Sequence, residues 1–212
     1  MKFTLKFEPY NNLNYPSTGN HIMAQTQGDD IIVYQAYRKS IADFAVEHQK
    51  FGGVDFGFNR MSWIKPNFLW MMFRSGWATK EGQERILAIW IKQSFLDMIL
   101  EESVMSSFEK SGYKEKDRWK EDLASKEVRL QWDPDHDPYG TPIERRALQL
   151  GLKGSMLRKY ATENIVAIQD ITDFSIEQYK HVQNKTLDSL LVPIERIYKP
   201  SDPSIINKIG ID

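Results

Sequence analysis

Two kinds of apolar pattern alternate along the chain. The first is the dense run: IIVYQAY (31–37) is β-branched and aromatic and predicts a strand at the centre of a sheet. ERILAIWI (84–91) predicts a second buried strand, and 128–132, 144–152 and 164–171 predict three more. The second is spacing by three and four. Ile41, Phe44, Ala45 and His48 predict a helix that Ser40 caps, with Asp43 three residues on, and that Gly52 and Gly53 end. Pro66 at a first helical position and Gly76 just past a last one frame NFLWMMFRS as a short helix. Phe68 to Phe73 are all apolar, so this helix has no water face and is expected inside the domain. Further helices are expected from Ser94 to about Met105, over 154–162 around Met156, Leu157 and Tyr160, and over 175–190.

The stretches between carry less pattern. Residues 11–27 read as a loop, and 1–27 as an N-terminal loop region; 106–127 read as a charged, exposed helical excursion. DPDHDPYGTP reads as a turn-dense loop, VPIERIY as extended chain, and 199–212 as a tail of little structure. With no repeat and no low-complexity linker, residues 1–212 are expected to form a single domain. Several strands lie too close in sequence for helical crossovers. The expected class is therefore α+β, with mixed, largely antiparallel sheets and flanking helices.

Composition narrows the function. Residues that are 41% hydrophobic and 12% aromatic supply a real interior. Lys and Arg total 28 against 29 Asp and Glu, a formal charge of −1, so no bulk field draws the chain to nucleic acid or membrane. Such a contact would need a local patch. With no cysteine there are no disulfides, thiolate nucleophiles or cysteine-held metals. The longest apolar run, 68–73, is far short of the ~20 residues that span a bilayer, and the N-terminus has no secretory apolar region. The expected address is the cytoplasm. FGGVDFG fits neither the dinucleotide fingerprint nor the P-loop.

Candidate chemistry centres on residues 60–77. Arg60, Lys65 and Arg74 flank the apolar helix, and Arg suits forked recognition of phosphate or carboxylate; the plainer reading makes them solvent-facing ends and a helix cap. Trp63, Trp70 and Trp77 recur every seven residues, a shared stripe as far as a helix persists. Trp70 reads as core, and Trp63, beside Ser62 and Lys65, as a ring for stacking on a base. Gln35, Gln131 and Gln149 lie in apolar strands, where an inward amide needs partners and three could line one polar cleft. The plainer reading is that alternation turns each to solvent, and for Gln131 that reading stands at least level. Asp133, Asp135, His136 and Asp137 form a compact acid–imidazole cluster that reads as turn chemistry in preference to a metal site.

RMSWIKPNFLWMMFRSGW, together with VYQAY, GQERILAI, VRLQWDP and ALQLGL, resembles the DUF-4291 family over residues 20–198, and a tryptophan motif of that length is specific. The resemblance implies a fold relationship and no named activity. The order of elements is also similar to ADP-ribosyltransferase-like domains, which hold NAD in a cleft between two small sheets. That likeness implies an ADP-ribosyltransferase-like fold. It also implies that Gln35 or Tyr37 and Ser62 orient the nicotinamide ribose, with Gln149 where such domains carry a glutamate. The resulting expectation is an NAD- or nucleotide-binding transferase, its acceptor open and nucleic acid among the options. Gln35, Ser62 and Gln149 would be its catalytic positions; Tyr37, Arg60, Trp63, Lys65 and Arg74 would hold the NAD cofactor; no metal is expected. The alternative is a non-catalytic module that binds nucleic acid or a phosphorylated partner through the 60–77 surface. A metal-assisted hydrolase using the Asp-His loop is a third reading.

Overall fold

A computed structural model describes residues 3–212. In chain order the strands are β1 (Phe7–Pro9), β2 (Ile22–Ala24), β3 (Thr26–Gln27), β4 (Asp30–Tyr37), β5 (Ser62–Ile64), β6 (Arg85–Lys92), β7 (Ser103–Met105), β8 (Val128–His136), β9 (Pro142–Leu152), β10 (Ile165–Asp170), β11 (Leu191–Pro193) and β12 (Arg196–Tyr198). The helices are α1 (Lys39–His48), α2 (Phe68–Ser75), α3 (Gln93–Glu101), α4 (Lys116–Ser125), α5 (Gly154–Glu163), α6 (Thr172–Gln183) and α7 (Pro203–Ile209). One sheet runs β10-β6-β4-β3 and is antiparallel throughout; the other runs β5-β9-β8-β7 and is antiparallel except for β7 against β8. Two short ribbons, β1-β11 and β12-β2, complete an α+β architecture of mostly antiparallel sheets.

The dense apolar runs are explained by burial on both faces of the first sheet. Ile31, Val33, Leu87, Ile89 and Ile91 point into a core shared with Val128, Leu130, Trp132, Leu148, Leu150 and Leu152 of the second sheet. Ile32, Tyr34, Ile86, Ala88 and Trp90 point the other way, into a second core with Phe68, Leu69, Met71 and Met72 of α2. Strand side chains alternate faces, so covering both faces removes the polar half of the pattern.

Several local expectations are corrected. The 11–27 stretch contains β2 and β3, held by partners far away in sequence. Helix α1 begins at Lys39 after Arg38 with no side-chain cap; Ser40 lies in its first turn, and Asp43 pairs with Lys39 and Arg85. Pro66 precedes the helix start: Asn67 is the cap of α2, its Oδ1 accepting from the Trp70 amide at 2.7 Å, which satisfies a donor the helix leaves free. Gly76 ends α2 in the left-handed conformation, as expected. The helix from residue 93 stops at Glu101 and gives way to β7. DPDH continues β8, because Asp135 turns inward to Arg145 of β9; the turn follows, with Asp137 Oδ1 accepting from the Tyr139 and Thr141 amides. The tail forms α7, capped by Asp202, with Ile205 and Ile209 buried.

Helix α2 is held at its N-terminus by a distant carboxyl. Glu195, 2% exposed, accepts from the Phe68 amide at 2.6 Å and from Asn67 Nδ2 at 2.8 Å. Burial pushes its pKa well above the usual carboxylate range, and nearby Asp135 adds to the push. The folded protein therefore holds this proton to higher pH than the unfolded chain does. Its contribution is full below the ordinary carboxylate pKa and is lost as pH rises through the raised value. Glu195→Ala, which orphans both donors, is expected to cost about 2–4 kcal/mol in denaturant unfolding. Glu195→Gln is expected to keep most of the stability and to lose the wild type's decline with pH above ~4.3; an unchanged pH slope in that variant would show that Glu195 does not carry it.

Candidate functional site at the seam of the sheets

The two sheets touch at one edge. Strand β3 covers only the first residues of β4, and further along that edge Tyr34 exchanges main-chain hydrogen bonds with Lys65: Tyr34 N to Lys65 O at 2.6 Å and Lys65 N to Tyr34 O at 3.2 Å. Around this seam lies a cavity of about 610 Å³. Gln35, Tyr37, Arg60, Ser62, Trp63, Lys65, Arg74 and Gln149 all line it, joined by Arg38, Glu81, Gln83 and Gln131.

Register explains which side chains meet. Strand β5 pairs Trp63 with Gly151 and Ile64 with Leu150, while Gln131 faces Gln149 and Asp133 faces Ala147 across β8 and β9. Leu130 and Trp132 of β8 and Leu148 and Leu150 of β9 enter the shared core, so their neighbours Gln131, Asp133 and Gln149 face the other way. A Cβ at Gly151 would lie 2.5 Å from Met61 Sδ and 3.0 Å from Trp63 Cε2, so the glycine leaves room for both side chains to lie across the strand.

The cavity has two polar walls. On one, Gln35 Nε2 donates to Tyr37 Oη (2.9 Å), Ser62 Oγ (3.0 Å) and Trp63 O (3.1 Å), and its Oε1 accepts from Tyr160 Oη (2.8 Å). Both ends of this buried amide are used, so Gln35 fixes Ser62 and Tyr37, whose oxygens are 2.6 Å apart. Burial pushes the Tyr37 phenol up to about 12. On the other wall, Gln149 Nε2 donates to Gln131 Oε1 (2.7 Å) and to Asp133 Oδ2 (2.6 Å). Gln149 Oε1 and Gln131 Nε2 have no protein partner among the described residues.

Charge is the unusual feature. Lys65 is 5% exposed, and burial, with repulsion from Arg74, lowers its pKa to about 7 against a smaller opposing pull from Asp133. Among the described residues no carboxylate forms an ion pair with Lys65, Arg38, Arg60 or Arg74. Elsewhere Arg85, Arg118, Arg145 and Arg196 are paired, while Arg129, Arg146 and Arg158 form no ion pair among the described residues. Charged groups are seldom buried alone, because an uncompensated ion loses its hydration. Of the cavity cations only Lys65 is buried, so it alone bears this cost, while Arg38, Arg60 and Arg74 stand exposed at the rim without an ion-pair partner among the described residues.

The tryptophans separate. Trp63 lines the cavity from a strand, whereas Trp70 is buried and stacks on His136 (5.2 Å between centroids) and Phe73 (5.3 Å). Trp77 lies past the helix end at φ 54° and packs in the second core, so the seven-residue spacing yields no common stripe. The acid–imidazole cluster also disperses. Asp133 holds Gln149, Asp135 pairs with Arg145, the His136 ring stacks on Phe73, and Asp137 organises the turn; among the described residues no group of three or more His, Cys, Asp or Glu is placed to hold a metal. Sequence reasoning passed over Arg38, Glu81, Gln83 and the Asp133–Gln149 link. Arg38 directly follows a strand that carries three cavity residues, and Asp133 stands two residues from Gln131, signals that strand alternation could have supplied.

A mostly antiparallel α+β chain with a cation-lined cavity at its sheet seam is thereby defined. It belongs to the family described as Domain of unknown function (DUF4291), whose model matches residues 21–198 and so covers every cavity residue. No match was found among curated proteins. No helix among the described residues is long and apolar enough to cross a membrane.

Lys65 should cost stability. Its folded pKa lies below the unfolded value, so the unfolded chain binds more protons between about pH 7 and the ordinary lysine value, and stability rises with pH across that window. Lys65→Met is expected to stabilise the protein by on the order of a few kcal/mol below pH 7, the gain shrinking as pH approaches ~10. Unfolding curves for both proteins at pH 6 and pH 9 check this; a difference that does not change with pH contradicts it.

Proposed function

We propose that the seam cavity binds a nucleotide carrying a pyrophosphate, NAD in the first instance, and that the protein transfers the ADP-ribosyl group to an acceptor. The observation that carries this reading is the convergence of unpaired cations, an aromatic ring and polar groups on one cavity between two sheets. Its volume of about 610 Å³ is in the range of small-molecule sites. An arrangement with the cleft between two small sheets is also what the ADP-ribosyltransferase likeness expects.

In this reading Arg60 and Arg74, exposed at the cavity rim, take the pyrophosphate through forked, charge-assisted hydrogen bonds, with Arg38 and Lys65 adding positive potential. Trp63 is the stacking ring, because Tyr37 is packed against Phe51 and Phe56 and its hydroxyl is engaged with Ser62. Ser62, positioned by Gln35, and Gln149, positioned by Asp133, face the nicotinamide ribose. Transfer breaks the bond from ribose C1′ to nicotinamide nitrogen. The bonding pair leaves with nicotinamide, positive charge develops at the ribose, and a lone pair of the acceptor's nucleophilic atom forms the new bond to C1′ as that atom gives up its proton to solvent. Hydroxyl and amide oxygens of the cavity wall aimed at that charge would stabilise it, while Asp133 acts through Gln149.

Calorimetric titration with NAD and assay of nicotinamide release test the reading. The wild type is expected to bind, Arg60→Ala and Arg74→Ala each weakening binding by about 10–100-fold. Ser62→Ala is expected to slow release with little loss of affinity. No binding and no nicotinamide release at saturating NAD overturns the proposal. Binding of single-stranded nucleic acid instead, with affinity falling steeply in salt, would replace it with a non-catalytic phosphate-binding module.

A further inference from the structure

Lys65 is a poor choice for simple electrostatic binding of an anion. Its main chain is fixed on both sides, by the reciprocal hydrogen bonds to Tyr34, and its neighbours Ile64 and Pro66 are buried, so the side chain issues from a rigid point on the seam. Exposed at only 5%, it nevertheless lines the cavity. The charged groups around it are Arg74 from α2, Arg60 ahead of β5, Arg38 after β4, Asp133 from β8 and Glu81 from the loop before β6. None of them is in ion-pair contact with the amine among the described residues. A lysine kept for packing would be served by methionine, and one kept for charge would be served by a carboxylate partner or by water. A desolvated amine beside other cations is instead the arrangement that favours the neutral, nucleophilic form, and the lowered pKa of Lys65 agrees with that.

We propose that Lys65 Nζ condenses with the carbonyl carbon of an anionic aldehyde or ketone, whose phosphate or carboxylate is held by Arg60 and Arg74, to form an imine within the cavity. The nitrogen lone pair attacks the carbonyl carbon, and the carbonyl π pair moves to oxygen, which takes a proton from water. Nitrogen gives up one proton to solvent to leave the neutral carbinolamine, whose hydroxyl takes a proton from solvent and departs as water, and the resulting iminium loses nitrogen's second proton, so one C=O and one amine become one C=N and one water. No oxidant, reductant or second substrate is required. The inference goes beyond the nucleotide reading and shares with it the anion-holding arginines and the cavity itself, while giving Lys65 a covalent role in place of an electrostatic one.

The test uses the full chain and pyridoxal 5′-phosphate as the probe at neutral pH, with sodium borohydride added to reduce any imine and peptide mass mapping to locate it. At low reagent the adduct is expected on Lys65 about tenfold faster than on the average exposed lysine. Phosphate-free pyridoxal is expected to label it several-fold more slowly, and inorganic pyrophosphate to protect it. Lys65→Arg is expected to lose the fast adduct while keeping a thermal shift with pyrophosphate, which shows that the variant is folded. Labelling spread over surface lysines without enrichment at Lys65 overturns the proposal, and so does fast labelling that persists in Lys65→Arg. The wild-type map decides the matter even if that variant does not fold. Labelling of Lys65 in a protein that ignores NAD would defeat the nucleotide reading alone; NAD binding without Lys65 labelling would defeat this one alone.

Discussion

Two main-chain hydrogen bonds between Tyr34 and Lys65 join the edge of β4 to the end of β5, and Gln35 reinforces the join by bonding Tyr37, Ser62, the Trp63 carbonyl and Tyr160 at once. Without this seam the sheets would share a core but not an edge. Because they meet there, Trp63 from β5 and Lys65 just after it, Gln131 and Gln149 from the second sheet, and Gln35 and Tyr37 from the first approach one space. Helix α2 starts immediately beyond the seam, its first turn held by Asn67 and Glu195, and so brings Arg74 back to the same cavity in its last turn. The site is a consequence of how the two sheets are joined.

The second constraint is electrostatic. Elsewhere the protein satisfies its buried charge: Arg145 donates twice to Asp135 and once to the Pro16 carbonyl, and Asp97 accepts from Tyr198 and Ser201. At the cavity it does not, and Lys65 carries the cost of burial without a partner. Such a cost is consistent with a site whose anion arrives from outside, since a ligand can supply the missing charge only if the protein has left it unsupplied. The same absence makes the amine chemically available, which links the binding and imine proposals to one feature of the structure.

Much of the fold was legible because it depends on local pattern. IIVYQAY and ERILAIWI are apolar on both faces since each face enters its own core, and Met156, Leu157 and Tyr160 recur at helical spacing because α5 buries one side. What was missed depends on partners distant in sequence. Strands of two or three residues, such as β2 and β3, have no period to read, and β2 exists because β12 pairs with it. The DPDH segment looks like a turn until Arg145 is seen to hold Asp135 in a strand, and α7 is recognisable only once Ile205 and Ile209 are buried and Trp132 donates to the Ile209 carbonyl. For the site, polar residues set in greasy elements marked Gln35, Lys65 and Gln149, but no sequence rule states that they face the same space; that follows from register and from the seam.

A structure of the protein soaked or co-crystallised with ADP-ribose, an anion of the proposed class that lacks nicotinamide, tests the central claim most directly. The expected result is a single molecule in the seam cavity, its pyrophosphate on Arg60 and Arg74, a ring on Trp63, and Lys65 within reach. Ligand found elsewhere, for instance in the groove between Phe73 and Tyr139, with the seam cavity unchanged, would contradict the account.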